Sequence, residues 1–569
     1  MHEDARGGDV IADERLVANA AKTGAYLRQG LTEPRSANSA QVSIFADLLA
    51  FHCATEEHVN DHCLPSAWME DGMFHLHMRR AARQAATLGF AGAAALGLGP
   101  AGAGLAAAGN LPAPAPAIVE YQFLSASPTP PSEANCFSVG RRCFTPASMQ
   151  ASYNLSPLYA ANDQGQGTKI AIIDSFGNPN MASDLANFNS QMGLPHMCGE
   201  PGVTCTPDMP TFQHVFWNGV TQVKAPPPGS NGAGSQTRNI WALETSLDVE
   251  WAHTIAPRAN ILLVTTNPAE TLGVQGFPAM MDAEQFIVDH HEATVISQSF
   301  AAAEETFAST QSLLNLRHAF ISAASNGVTV LGSSGDGGTA NSSFTPVKHP
   351  ATIPFPTVEW PASDPLVTGV GGTYLCTNPT TGSSVDSTDP PVNCQSNPGV
   401  REVGWIASGG GFSHVFARPA YQDSLPAGST PIGAMRGVPD IAYQASSRTG
   451  VLVYDTAPGF AQGGLNCSPG NPCSAGWYVV GGTSSSCPQW AGLVAIADQI
   501  AGHGLGLINP TLYSLASGPN YGTYFYDVTT GNNQANPSVP GYPATAGWDP
   551  VTGLGTPNAA ALVPALAGH

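Results

Sequence analysis

Positive charge is scarce in this chain. Its 569 residues carry 20 Lys and Arg against 41 Asp and Glu, a formal net charge of −21 at pH 7. Charged residues make up only 11%, where soluble domains usually hold about 25%. No basic stripe is available to neutralise phosphates, which argues against a nucleic-acid partner. The carboxyl surplus suits work at low pH, where those groups protonate and the net charge falls toward zero. No two cysteines have CxxC spacing, so a structural zinc site is not expected. No internal repeat is visible. What the chain does have is 43% hydrophobic residues, 62 Gly and 48 Pro. That is enough for a substantial core threaded by many turns.

Eight of the 11 cysteines fall into close pairs: Cys136/Cys143, Cys198/Cys205, Cys376/Cys394 and Cys467/Cys473. Each pair sits in a Gly/Pro/Asn-rich stretch where a local disulfide closes easily, which implies an oxidising, exported setting. Cys53, Cys63 and Cys487 stand apart. The segment 73–119 carries Arg79, Arg80 and Arg83, then no charge from 84 to 119. It ends in small residues such as Ala113-Pro114-Ala115. It reads as an export signal displaced from the start, which makes 1–72 an unassigned, mis-called beginning. The rival reading is a membrane anchor, for which the Ala/Gly-rich run with Pro100 is a poor span. Residues 120–145 read as a Ser/Thr/Pro-rich linker.

From 146 onward strand-like and helix-like segments alternate. Residues 168–174, 260–266, 293–300 and 327–332 read as buried strands. Helical patterns lie between them, as at 239–255 and 317–325. This alternation predicts an α/β fold with a mostly parallel central sheet and helices on both faces. Sites on such sheets gather at the carboxyl ends of the strands.

Four segments carry chemistry. GGTSSSCP, 481–488, joins a strand-like run to a helix expected over 488–500, and a serine there meets a helix N-terminus that favours developing negative charge. Against this stands an ordinary capped turn. Glu244 and Asp248 lie one turn apart on one helical face. They are either a solvated acidic face or a coupled dyad with split pKa values. GSSGDGG, 332–338, places Asp336 in a bend where a neutral carboxyl can donate to an oxyanion, or where a plain turn is made. Near the C-terminus Asp527 and Asp549, with backbone carbonyls, offer an all-oxygen Ca²⁺ site or two Asp turns.

Together these segments resemble the sedolisin family of serine-carboxyl peptidases. The likeness runs from about 145 to the end through ASYNLSPLYAANDQGQGTKIAIID (151–174), ETSLD (244–248), SSGDGG (333–338) and VTGVGGTYL (367–375). It continues through SGGGFSHVFARPAYQ (408–422), RGVPDIAYQ (436–444), GGTSSSCP and WDPVTGLG (548–555). The resemblance implies a subtilisin-like domain over 146–569 that hydrolyses peptide bonds in acid. Ser484 would be the nucleophile, Glu244 the general base, Asp248 its partner and Asp336 the oxyanion acid. One structural Ca²⁺ would be held by Asp527 and Asp549 and by carbonyls of Val528, Thr545 and Gly547. A secreted monomer acting on proteins and peptides, with no stable membrane partner, is the expectation.

Departures stand beside it. Thr545 replaces the family's usual glycine, Cys487 a small residue and Phe300 a frequent tryptophan. The family's large folded prodomain has no counterpart in the 120 residues before the core, and Asp174 reads as a support for the dyad. A neutral-pH subtilisin would need a histidine motif, and none of the 16 histidines sits in one. A glycosidase would need more room between its acids than one helical turn leaves. A secreted binding protein on a peptidase scaffold is the remaining alternative.

Overall fold

The computed structural model describes residues 115–116, 121–217, 222–223, 235–266, 276–342, 352–457, 466–468, 471–472 and 475–568. The segment 1–72 lies outside them, as does 73–119 apart from Ala115–Pro116. No described helix is long and apolar enough to cross a membrane.

A nine-stranded sheet organises the described chain. Its strands are β1 (Lys169–Ser175), β2 (Phe212–Trp217), β3 (Gln222–Val223), β4 (Asn260–Thr266), β5 (Val295–Gln298), β6 (Thr329–Ser333), β7 (Thr368–Leu375), β8 (Glu402–Gly404) and β9 (Ile441–Gln444). The spatial order is β8-β7-β6-β5-β1-β4-β2-β3, with β9 parallel to β7. Only β3 and β8 run antiparallel to their neighbours. Strand β1 shows why the sheet is covered twice. Its alternate residues divide between two cores, Ile170 and Ile172 on one face, Ala171 and Ile173 on the other, as the two-residue period of a strand dictates.

The first face is covered by α1 (Ser235–Ile255) and α2 (Thr483–Ala501), through Leu243, Leu247, Trp251, Trp490 and Val494. The second is covered by the helices Gly276–Asp289 and His318–Ser325, through Met280, Ile287 and Phe320. The expected architecture is therefore present. Strand β4 matches its expected span, and most other boundaries move by a residue or two. Helix α1 starts earlier than expected, while β5 occupies only the middle of 293–300.

One expectation is corrected. Residues 120–145 are not a linker. Tyr121–Ser125 pairs antiparallel with Gly476–Val480, and Arg142–Phe144 pairs parallel with Thr449–Asp455, making a four-stranded sheet. The Ser/Thr/Pro stretch obscures two short strands, and the burial that fixes them comes from partners more than 300 residues away. Arg142 is buried because its guanidinium donates to the carbonyls of Pro390, Thr377 and Asp389. Three of the four expected disulfides are formed, Cys136–Cys143, Cys198–Cys205 and Cys376–Cys394. Cys473 of the fourth lies outside the described residues.

Helices α1 and α2 press together at Gly492. A Cβ there would fall 2.7 Å from Ile255 Cβ and 3.2 Å from the Ala252 carbonyl oxygen. Helical propensity favours alanine over glycine by about 1 kcal/mol, but overpacking a tight contact costs about 1–3 kcal/mol. Gly492→Ala is expected to lower the urea midpoint through the second effect. A raised midpoint would mean that the helices are free to separate.

Candidate active site

The carboxyl ends of β1, β5 and β6 lie by the middle of α1 and the start of α2. Each functional side chain owes its place to one of these elements. Asp174 is the penultimate residue of β1, Ser299 follows β5, and Asp336 lies in the bend after β6. Glu244 and Asp248 point from α1, and Ser484 sits in the first turn of α2. Helix α2 begins five residues before the expected 488, with Pro488 inside it. Proline has no N–H to return to the carbonyl four residues back, so the Ser484 carbonyl loses its usual helical partner. The turn into α2 passes through Gly482 at φ 119°, a conformation that other residues rarely adopt.

Glu244, Asp248, Asp174 and Ser484 are fully buried, and Asp336 is 6% exposed. The acidic pair on α1 is therefore not a solvated face. Burial pushes the Glu244 carboxyl well above the usual carboxylate range. The charges of Asp174 and Asp336 add to this, while the nearby hydroxyls of Ser484 and Ser299 oppose it by favouring the ionised form. Burial also raises Asp248, helped by the charges of Asp174 and Glu244 and opposed by Ser299. Ser299 Oγ donates to Asp248 Oδ1 at 3.0 Å. Asp174 is pushed up to about 7 by burial, which the nearby Thr245 hydroxyl opposes. Three buried carboxyls at one site cannot all ionise, so they hold protons in common. Ser484 faces Glu244 closely enough to favour its ionised form. Yet neither Glu244 oxygen nor Ser484 Oγ is closed into a well-formed hydrogen bond, a looseness usual before substrate arrives.

Asp336 is tied to the start of α2. Its Oδ1 accepts from Thr483 N at 2.7 Å and from Thr483 Oγ1 at 2.9 Å. Thr483 Oγ1 in turn accepts from Gly335 N at 3.1 Å. One residue thus locks the acid beside the serine. Ser299 and Thr483 join the candidate site through these hydrogen bonds, although the motifs did not single them out. Their only signals are a serine just past a strand end and a threonine just before the nucleophile.

Other polar groups are elsewhere. His253 is buried with Nε2 against the Pro195 carbonyl oxygen at 2.8 Å. Cys487 is buried, with Sγ 3.5 Å from Ser297 Oγ, and burial pushes its thiol up to about 12. Such a thiol packs as a small hydrophobe. Phe300 is buried with its ring edge-on to Phe277.

At the other end of the chain, Asp527 and Asp549 converge on one loop. Gly547 N donates to both oxygens of Asp527 at 3.1 Å, and Thr545 N donates to Asp549 Oδ2 at 3.1 Å. Asp549 is fully buried, and burial pushes it up to about 7 although Val551, Thr552 and Thr545 all donate to it. A buried carboxylate met only by N–H and hydroxyl donors, beside a second carboxylate, fits a hard cation that takes oxygen ligands.

Fold and site together define a subtilisin-like α/β protein in which carboxyls, not a histidine, surround a serine at the strand ends. Over 438 residues the chain is 28% identical to kumamolisin of Bacillus sp. (strain MN-32), covering 76% of this chain and 65% of that protein. Over 350 residues it is 30% identical to human tripeptidyl-peptidase 1, covering 58% and 53% respectively. The match therefore spans less than two thirds of either relative. No family model matches the chain. In structure it is similar to Pseudomonas sedolisin, a serine-carboxyl proteinase solved with two molecules of pseudo-iodotyrostatin. That likeness has a TM-score of 0.55 at 24% identity and covers 75% of this chain and 99% of that one. The chain therefore shares the fold of Pseudomonas sedolisin and is similar in sequence to kumamolisin and tripeptidyl-peptidase 1.

Proposed function

We propose that the chain is a secreted, acid-active serine-carboxyl endopeptidase that cleaves proteins and peptides through an acyl-enzyme on Ser484. The observation that carries this reading is the buried Glu244–Asp248 pair facing Ser484, with Asp336 tied by Thr483 to the same turn. In the first step Ser484 Oγ bonds to the peptide carbonyl carbon and its proton passes to Glu244. The carbonyl π pair moves onto oxygen, where Asp336 donates a hydrogen bond. The C–N bond then breaks as Glu244 gives the proton to the departing amine. Water repeats the sequence and frees the acyl group. Asp248 holds the Glu244 carboxyl in place and shares its proton, with Asp174 behind both.

Two requirements set the pH range. The dyad must keep one oxygen open to receive a proton, and Asp336 must keep its own proton to donate. Both hold in acid. Ca²⁺ would be held by Asp527 and Asp549 and by the carbonyls of Val528, Thr545 and Gly547. When bound it neutralises two carboxylates and fixes the C-terminal loop. The pattern of disulfides supports export.

The test is cleavage of denatured protein by residues 1–569 and by the Ser484→Ala variant between pH 3 and 7. Activity confined to acid and lost in the variant is the expected result. A folded wild type no more active than the variant would leave a binding protein on this scaffold as the better reading.

A further inference from the structure

A second carboxyl lies against the loop that carries Asp336. Glu359 belongs to the short strand Glu359–Trp360, which pairs antiparallel with Phe300–Ala303 so that Glu359 stands opposite Ala303. A Cβ added to Gly335 would fall 1.8 Å from Glu359 Oε2 and 2.8 Å from its Cδ. The Glu359 carboxyl thus fills the side-chain space that Gly335 leaves open, one residue before Asp336. The residue is half-buried, with its carboxyl end enclosed. Burial first, and the charge of Asp336 second, push it up to about 8.

The other titratable groups nearby are otherwise engaged. Glu244 bears on Asp336 from α1. Glu304, whose N–H donates to the Val358 carbonyl at 3.2 Å, accepts from Ser413 Oγ and His414 N at 2.7 Å each. Glu305 pairs with His414. Asp336 is the charge that acts on Glu359.

We propose that Glu359 is a positioning residue for the oxyanion acid: its carboxyl and that of Asp336 hold one proton between them. Two buried carboxyls whose charges bear on each other cannot both ionise without mutual repulsion, so the pair keeps a proton where a lone aspartate has lost it. As charge develops on the substrate oxygen, that proton is drawn onto Asp336. The inference rests on the peptidase reading above and extends it.

The test compares wild type with Glu359→Gln and Glu359→Asp in the full chain. It follows kcat/KM against pH and the affinity for a peptide aldehyde, whose carbonyl becomes an oxyanion when serine adds to it. In Glu359→Gln the alkaline limb of both profiles is expected to move acidward by about one pH unit. The acid limb and the KM of an uncharged substrate should stay put, and Glu359→Asp, which keeps a carboxyl, should behave more like wild type. An unmoved alkaline limb overturns the inference. So does a change confined to KM for substrates with a basic side chain, which would mean that Glu359 reads the substrate. A wild type that neither cleaves peptides nor binds the aldehyde at any pH sinks the peptidase reading itself.

Discussion

Glu244→Gln is expected to lower kcat/KM by about a thousandfold or more at every pH, in line with the range known for general acid–base groups. The amide keeps the shape of the side chain and fits the same buried space, so the fold is not strained. It cannot receive the serine proton, and no other group in the site is placed to substitute fully. Asp174 is near enough to act on Glu244 electrostatically, but it is held within β1 and bears on Asp248 as well. Asp248→Asn is expected to be milder, roughly a hundredfold. It leaves the base in place and removes the carboxyl whose titration is tied to that of Glu244, so the Asn variant should also shift the acid limb downward. Steady-state rates on a chromogenic peptide from pH 2 to 7 measure both. If Glu244→Gln retained activity within tenfold of wild type, Glu244 would not be the base.

Stability should fall steeply as pH rises. A cluster behind the site shows the cause. Asn178 Nδ2 donates to Asp184 Oδ2 at 2.8 Å, to Ser246 Oγ of α1 at 2.9 Å and to Asp455 Oδ1 at 3.3 Å. Glu250 of α1 accepts from Tyr454 N at 3.1 Å, and its Oε1 is buried without a partner. Burial pushes Asp184 up to about 6 and Asp455 up to about 8, and Glu250 is raised as well, first by burial and then by the charges of the other two. In the unfolded chain these acids titrate near 4. Between pH 4 and 8 the folded protein therefore binds more protons than the unfolded one, and its stability declines with pH. The contribution is complete below about pH 4 and is lost as each group passes its folded value. Asp174, near 7, adds to the slope. A tenfold difference in proton affinity between the folded and unfolded chain corresponds to about 1.4 kcal/mol. Several such groups together should lower the thermal midpoint by more than about 10 °C between pH 4 and 8. Calorimetry across that range is the measurement. A midpoint flat or rising with pH would show that these carboxyls are ionised in the fold. Chelation should steepen the fall near pH 7, where Asp549 titrates in the absence of a cation.

The parts of the molecule that were legible in its sequence are those governed by local pattern. Strand β4, NILLVTT, is buried along nearly its whole length and reads as a continuous apolar run. The dyad was legible because a helix puts residues four apart on one face. Its burial was not legible, because that depends on β1, β5 and α2 closing over it. Thr483 illustrates the same limit. Its value as a tether to Asp336 arises only when the bend after β6 meets the start of α2, and nothing in the octet 481–488 announces that meeting. Segment 120–145 misleads for a related reason. Its strands are short and flanked by Ser and Pro, and their identity is conferred by edges of a sheet formed much later in the chain. Glu359, on a two-residue strand outside the main sheet, carries no motif at all.

The junction at Gly492 has a consequence for how the protein comes into being. Glu244 and Asp336 precede Ser484 in the chain, and Ser484 stands on a helix whose seat against Ile255 must be tight. A nascent chain that has already folded its first strands therefore holds every acid of the site and no attacking group. If the proposed peptidase reading holds, hydrolytic competence would be acquired only when α2 docks, so a chain still being made would lack the means to damage itself or its neighbours.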